Sequence, residues 1–577
     1  MSQKEAATIS WRPTLVGRHY AVSSGHYLAT AAAMRVLDAG GNAVDAGVTA
    51  AMALAVLQPD VVSFAGVAPT LLYLHEEGRI ISLAGLGYWP QATDVARLIA
   101  EGGPCVPEGI LRQVVPAAPA THIEALRHFG TLSFEQAVTP AFELARDGYA
   151  CYPVLHDVIA LHAPEIARYP ENAAIFLPGG QPPAVGSLFR QTNLAKTLWR
   201  LIEAERQARG DRDAKLHAVH ACFYRGAIAA EIAAFHAQYD GFMTAADLAN
   251  FTVPIESSIS CQYGDYTVHA CDTWCQGIVL LESLKILEGI DLRALGHNTP
   301  AYLHTLAEAL NLAFADREAY VGDPRFVDVP TGTLLSAAYA AAQRARISPE
   351  RTAGCMPAPG VIAGRPCPLP QGLHPAQGAV PAAPDTIHVC VVDAQGNSYA
   401  ATPSDTMYDT PMVPGLGLLI SSRGMQGRLQ PGHPCAVVPG KRPRLTPTPG
   451  LAFQDGQFFM AWGTPGGDIQ CQAMLQVFLN VVAFGMSMQL AIEAPRIGTF
   501  SFPNSFAPHS YLPGRLCLEQ RIAEATITDL ARRGYDIERW SAASWHAGAI
   551  CAITRDRHTG LLHAGADMRR EAYAAVW

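Results

Sequence analysis

Thr386 begins a strand-like run, Thr386-Ile387-His388-Val389-Cys390-Val391-Val392-Asp393, directly after Arg351–Pro384, a stretch rich in Pro, Gly and Ala that carries no periodicity. That placement permits one specific chemistry. If the backbone is cut between Asp385 and Thr386, the threonine gains a free α-amine. The amine can take the proton from the residue's own hydroxyl, which is otherwise a poor nucleophile. A free α-amine titrates at ~7.7–8.0, suitably placed for a base at neutral pH. The plain alternative is a β-branched residue opening a strand.

Three further groups could serve that nucleophile. Thr464-Pro465-Gly466-Gly467-Asp468 lies between a strand-like and a helix-like segment. Adjacent glycines let backbone N–H groups approach a substrate, and a following helix N-terminus favours negative charge, as an oxyanion hole requires. It can equally be a simple strand-to-helix turn. Gly440-Lys441-Arg442-Pro443 is a basic loop, or else a solvated turn. Thr402-Pro403-Ser404 places hydroxyls close behind Thr386, although such residues are ordinary in turns.

Other chemistries lack their signatures. There is no GxxxxGK[ST] phosphate loop, no HExxH helix and no GxSxG elbow. Cys271 and Cys275 have no second thiol pair at zinc-site spacing. The 20 histidines are scattered. Gly415 and Gly417 lack the third glycine of a dinucleotide site. Neither a cofactor nor a metal is expected.

The elements that must position Thr386 are legible in outline. Leu28–Asp38 reads as a helix ended by Gly40-Gly41, and Ala46–Leu57 as a buried one. Thr299-Pro300 caps a helix carrying Leu303, Leu306, Leu310 and Phe314, which ends near Gly322-Asp323-Pro324. Residues 351–385 read as a loose linker, too long for an ordinary connection. Beyond it, Thr386–Asp393 pairs with Ser398–Thr402, Leu451–Phe453 with Gln457–Trp462, and Cys551–Thr554 with Leu561–His563. Helical stretches are expected over Gln470–Phe484 and Gln520–Arg533. Runs of strands and helices suggest an α+β layered fold.

Composition narrows the class. In 577 residues, 16% charged against 49% hydrophobic implies a large buried core, and the length allows two to four domains. The net charge of −9 with no basic block argues against nucleic acid. The longest apolar run, Ala46–Leu57, falls short of the ~20 residues a membrane span needs. No secretory pattern is read at the N-terminus, and the 13 cysteines show no paired spacing, so reduced thiols in the cytoplasm are expected.

Together these segments resemble the gamma-glutamyltranspeptidase family over nearly the whole chain. The resemblance is carried by Gly40-Gly41-Asn42-Ala43-Val44-Asp45-Ala46, by Leu312-Ala313-Phe314-Ala315-Asp316-Arg317 with Gly322-Asp323-Pro324, and by Asp385-Thr386-Ile387-His388 with Val391-Val392-Asp393 and Gly396-Asn397. Pro439-Gly440-Lys441-Arg442-Pro443 and Pro465-Gly466-Gly467 complete the order. The resemblance implies a four-layer αββα N-terminal-nucleophile sandwich. It implies a precursor that cleaves itself between Asp385 and Thr386 into a large subunit, residues 1–385, and a small catalytic subunit, residues 386–577. By position, Thr386 is the nucleophile and Gly466 and Gly467 the oxyanion-hole glycines. Ser404 stands where the family usually has a second threonine bonded to the nucleophile. An acyl-enzyme would form on Thr386 and be released to water or an amine.

The substrate handles depart from the family pattern. Ala92-Thr93 is followed by Asp94 where typical members have a carboxylate-binding arginine, and Gln426 falls near the aspartate that holds the substrate's α-amino group. Arg444-Leu445-Thr446 replaces paired serines, Ile387 replaces a threonine, and a Gly-rich stretch is eroded to Phe64-Ala65-Gly66-Val67-Ala68. Arg423 is new; a similar arginine occurs in the branch that includes oxamate amidohydrolase. It could grip a carboxylate in a bidentate fork or pair with a neighbouring loop. Arg423, Gln426, Thr446 and Asp468 are the expected substrate-facing residues. The expected substrates are gamma-glutamyl amides such as glutathione. The alternatives are a small anionic, oxamate-like amide, or an inactive relative that never cleaves.

Overall fold

Period-two alternation along Val389–Val392 sorts its side chains onto two cores. Val389 and Val391, with Ile387 before them, pack against the helix Ala43–Leu57. Cys390 and Val392 pack against the strands of a second sheet. In the computed structural model, which describes residues 10–365, 376, 378 and 386–577, this alternation extends into a four-layer αββα sandwich.

One sheet runs in the order Tyr573–Val576, Ala21–Ser24, Val389–Val392, Ser398–Ala401, Thr70–Leu74, Arg79–Leu83 and Ile255–Glu256. Every neighbour is antiparallel, and Val389 lies opposite Ser24 on one side and Ala401 on the other. The facing sheet runs Leu15–Gly17, Leu562–Ala566, Cys551–Arg555, Gln457–Gly463, Gly450–Gln454, Tyr266–Ala270 and Ile259–Tyr263, again all antiparallel. Tyr27–Asp38 and Ala43–Leu57 cover the first sheet; Ile278–Leu287, Pro300–Tyr320 and Ile469–Val482 cover the second. Both sheets contain strands from before and after residue 386, so two fragments produced there would share both sheets.

Local signals explain where these helices begin. Asn42 accepts from the N–H groups of Val44 and Asp45 while Asp45 accepts from Asn42, a capping box that starts the buried helix at Ala43, earlier than its apolar run suggests. Thr299 caps Pro300–Tyr320 as expected, accepting from the Tyr302 N–H. The expected hairpins around 394–397, 454–456 and 556–561 form. The helix expected from Gln520 begins only at Glu524, because Arg515–Glu519 is a strand that pairs in parallel with Asp536–Trp540 across that helix. The looseness expected from residue 351 is corrected over 351–365. Thr352 N–H bonds Arg533, Met356 N–H bonds the Tyr511 hydroxyl, and Gly360 N–H bonds buried Asp316. Proline and glycine remove periodicity there without removing these tethers. Among the described residues, no helix is long and apolar enough to cross a membrane.

Candidate active site

Thr386 is buried just before the strand Val389–Val392, at the end of the sandwich where the chain meets Ser404 in an antiparallel bridge. Thr386 Oγ1 lies 2.7 Å from Ser404 Oγ. Ser404 is held by its backbone: its N–H donates to Val67 at 3.0 Å, and Ile387 N–H donates to Pro403 at 3.2 Å. Gly66 is retained in the eroded glycine stretch for a steric reason, since a Cβ there would come within 2.3 Å of the Ser404 carbonyl oxygen. Asp385 lies outside the described residues.

His388, next on the Thr386 face of the strand, donates to or accepts from Thr402 Oγ1 at 2.9 Å. Burial lowers its pKa to about 3, which keeps the ring neutral. Gly463, at the end of the facing strand Gln457–Gly463, presses on this ring; a Cβ there would lie 2.3 Å from His388 Nδ1. The Thr386 end of one sheet therefore meets the Gly466-Gly467 end of the other.

Gly466 and Gly467 have φ of 121° and 58°, a region costly for residues with a Cβ. The Gly466 carbonyl accepts from Ile469 N–H, and the Gly467 carbonyl from Gln470 N–H and Gln276 Nε2. In a trans peptide the C=O and the following N–H point opposite ways. The Gly467 N–H is accordingly turned away from the helix that follows. Gln276 is itself held by Arg317 Nη1 at 2.8 Å, and the same nitrogen contacts Asp468 Oδ1 at 2.5 Å. The turn is thus braced by a buried polar network.

The expected substrate-facing residues divide. Gln426 and Thr446 come together: Gln426 Nε2 donates to Thr446 Oγ1 at 3.0 Å, and the buried Gln426 Oε1 has no hydrogen-bond partner among the described residues. Asp468 is occupied by Arg317 and by the Ser505 N–H and hydroxyl, at 2.7 and 2.6 Å. Arg423 is 0% exposed; its Nη2 donates to Ser404 Oγ and its Nε lies 3.4 Å from Asp405 Oδ1. Asp94 is an exposed helix cap, accepting from Ala96 and Arg97 N–H groups. Arg442 is not solvated. It pairs with Asp323 at 3.0 Å and Glu256 at 3.1 Å, its guanidinium over the Trp274 ring.

Sequence reasoning missed Asp405, which follows Ser404 and is buried with φ of 131°. Such a conformation costs a non-glycine residue about 1–3 kcal/mol and persists only where its surroundings impose it. Here Ser422 N–H and hydroxyl bond Oδ1 at 3.0 and 3.2 Å, and Asp405 N–H bonds Val61. Burial raises the carboxyl to about 6 against the opposing pull of Arg423. The one signal in the sequence was its adjacency to Ser404. Also missed was a cavity of about 360 Å³ walled by Val61, Val158, Leu161, Trp545 and the stacked rings of His162 and Tyr408, 3.7 Å apart, together with the polar Asp60, Asp157 and His546. Its walls touch the site twice: Val61 receives the Asp405 N–H, and Trp545–Ala547 leads into Gly548, whose Cα would be 3.7 Å from a Cβ on Gly466.

This arrangement has known relatives. The family model described as Gamma-glutamyltranspeptidase matches residues 29–577. The Acylase ACY 1 proenzyme of Pseudomonas sp. (strain SE83) is 32% identical over 536 residues, covering 90% of this chain and 87% of that protein. The glutathione hydrolase proenzyme of Escherichia coli (strain K12) is 29% identical over 534 residues, covering 89% and 85%. A crystal structure of cephalosporin acylase from Bacillus halodurans matches with a TM-score of 0.85 at 27% identity, covering 99% of this chain and 98% of that one. The αββα layers are those of the N-terminal-nucleophile hydrolases, and the chain is an enzyme of the gamma-glutamyltranspeptidase family.

Proposed function

We propose that the chain is a precursor that hydrolyses its own Asp385–Thr386 bond and then uses Thr386 to cleave small-molecule amides. The observation that carries this reading is the 2.7 Å contact of Thr386 Oγ1 with Ser404 Oγ at the end of the sandwich that also holds the glycine turn. In the cleaved enzyme the Thr386 hydroxyl proton passes to the new α-amine as Oγ1 bonds the amide carbonyl carbon. The carbonyl electron pair moves to oxygen, where the Gly467 N–H stabilises it. Collapse expels the amine, protonated by the α-ammonium, and leaves an ester on Thr386. Water or a second amine then releases the acyl group. Intact-mass analysis of purified protein tests the first step: two fragments are expected, the smaller beginning at Thr386, and Thr386→Ala should remain one chain. An uncut wild-type chain that still turns over amides would end this reading.

Gamma-glutamyl amides are the substrates suggested by family membership and by the glutathione hydrolase relative. A specific observation favours a second class, amides with a sizeable apolar or aromatic group. The cavity beside the site is walled mainly by aliphatic side chains, Trp545 and a Tyr408–His162 stack, with Asp60, Asp157 and His546 among them, a mostly apolar lining suited to flat or apolar groups. Kinetics of the cleaved enzyme on paired gamma-glutamyl and aryl-acyl anilides decides between them.

A further inference from the structure

Ser404 Oγ stands between two groups. Thr386 Oγ1 is 2.7 Å away on one side, and Arg423 Nη2 donates to the same oxygen on the other. A guanidinium has donors and no acceptor, so Ser404 Oγ accepts at that contact. A serine oxygen has one proton and two lone pairs. A positive charge against the oxygen makes its remaining lone pair a weaker acceptor and its O–H a stronger donor.

The guanidinium is held for this task. Its Nε faces Asp405 Oδ1 at 3.4 Å, and its carbon lies 5.5 Å from the centre of the Phe506 ring. Arg423 opens the short 3-10 turn Arg423–Gln426, and the next residue must be glycine, since a Cβ on Gly424 would lie 2.2 Å from the Arg112 carbonyl oxygen. Asp405 in turn sits in its strained backbone conformation, and a Cβ on Gly66 would come within 2.7 Å of its Oδ2. Two close-packed glycines and one strained aspartate thus fix a charge against the hydroxyl that touches Thr386.

We propose that Arg423, aligned by Asp405, polarises the Ser404 hydroxyl so that Ser404 donates to Thr386 Oγ1, directing the Thr386 proton toward the α-amine and stabilising Oγ1 as it loses that proton. This rests on the reading of Thr386 as nucleophile. Arg423 and Asp405 are positioning residues: neither gives up a proton. Ser404 keeps its own proton throughout. In the cleaved enzyme the proton lost by Thr386 Oγ1 goes to the Thr386 amine, and in self-cleavage it goes to the same nitrogen as its bond to the Asp385 carbonyl carbon breaks; in both, the electron pair left on Oγ1 forms the bond to the carbonyl carbon. The role differs from a carboxylate clamp, because it acts on the threonine whatever the substrate's charge.

The experiment is a double-mutant cycle on purified full-length chains with an uncharged anilide as substrate. Self-cleavage is followed by intact mass and turnover by released aniline. Arg423→Gln should slow both self-cleavage and kcat by about 10²-fold, the scale of losing one donor to a developing charge, with little change in KM. In the Ser404→Ala background the same substitution should cost less than about threefold, since residues that act through one another are non-additive. Arg423→Lys should recover part of the rate. Removing the nearby cation should also move the acid limb of kcat/KM to higher pH, since a like charge disfavours the α-ammonium. Circular dichroism confirms that each variant is folded. The proposal is overturned if Arg423→Gln cleaves itself and turns over the anilide at wild-type rates, or if its cost is undiminished in Ser404→Ala. Thr386→Ala separates the two readings: cleavage in that variant removes the nucleophile assignment, whereas an inert Thr386→Ala beside a fully active Arg423→Gln removes only the role given to Arg423.

Discussion

Arg317 Nη1 contacts Asp468 Oδ1 at 2.5 Å inside the protein, both side chains shielded from solvent, and this pair ties the helix Pro300–Tyr320 to the residue after the Gly466-Gly467 turn. The same guanidinium reaches Gln276, Glu318, Ser505 and the Pro503 carbonyl, and stacks over Phe314 and Phe502. Glu318 also receives Arg428 at 2.9 Å and Arg444, and its carboxyl is held well below the ordinary range: burial opposes ionisation, but Arg444, Arg428 and Arg317 outweigh it.

Removing one partner of such a network leaves the others charged and buried. Arg317→Met is expected to destabilise the chain by about 3–5 kcal/mol, the usual cost of an uncompensated buried charge. Activity should fall further than the folded fraction, because Asp468 and Gln276 no longer brace the turn. Urea unfolding together with kcat on the residual folded protein checks this; a variant as stable as wild type would show the network to be dispensable.

The buried neutral histidine beside Thr386 sets a pH dependence. His388 has a folded pKa of about 3 against an ordinary 6.5. Above pH 6.5 it is neutral in both states and costs nothing. As pH falls below 6.5 the unfolded chain takes up a proton that the folded chain refuses, so stability declines until about pH 3, where the folded chain protonates too. His26, His122, His236 and His269, each lowered to about 4 by burial, act in the same direction. His388→Gln should flatten the fall in unfolding free energy between pH 6.5 and 4, measured by urea titration at several pH values. An unaltered slope would mean that the ring is already charged in the fold.

Motif pairs show what the sequence could and could not disclose. Ala43 N–H donates to Asp393 Oδ2 at 2.9 Å, joining the start of the buried helix to the end of the strand that follows Thr386. Asp323 joins Arg442, and Arg317 joins Asp468. Each partner lay in a segment legible by itself, through a cap, a turn or a run of alternating residues. The pairings were not legible, because helical and strand periods report which face of an element is apolar and say nothing of what a buried polar group meets more than a hundred residues away. Asp405 was missed for a related reason: its importance lies in a positive φ and in contacts from 61, 66 and 422, none of which has a local signature. One hairpin of the first sheet, Val389–Val392 with Ser398–Ala401, and two of the facing sheet were legible, but not that strands from both sides of residue 386 interleave.

The glycine turn is the most direct test of the chemistry. Gly467 has φ of 58°, where a β-branched residue is strained, and its N–H is turned away from the following helix. Gly467→Val is expected to lower kcat by at least about 10²-fold, the scale of losing one oxyanion donor, while the fold survives. Active-site titration with circular dichroism distinguishes loss of function from loss of structure. A Gly467→Val enzyme with wild-type kcat would place the oxyanion contact elsewhere.

The cavity predicts size selectivity. Val158→Phe would fill part of the roughly 360 Å³ space between Val61 and the Tyr408–His162 stack. If an apolar part of the substrate lies there, kcat/KM for a phenylacetyl anilide should fall by about tenfold or more relative to that for an acetyl anilide, since 1.4 kcal/mol of lost contact is tenfold. An equal effect on both anilides would place the substrate's bulk outside the cavity.

Gln426 offers a gain of function. Its Nε2 is committed to Thr446, and its buried Oε1 has no hydrogen-bond partner among the described residues. That oxygen can accept from an ammonium only as a neutral dipole, whereas a carboxylate would add a charge-assisted bond, roughly twice as strong as a neutral one. Gln426→Asp should therefore improve kcat/KM for gamma-glutamyl-p-nitroanilide, mainly through a lower KM, by about tenfold, the equivalent of 1.4 kcal/mol. It should give no such benefit on the matching glutaryl anilide, which lacks the α-amino group. The shorter side chain costs something: Thr446 Oγ1 must turn from acceptor to donor, which a hydroxyl can do. If the substitution improves both anilides alike, the gain is a general change in the pocket; if it improves neither, Gln426 does not face the substrate's α-amino group and the glutamyl reading loses its remaining polar anchor.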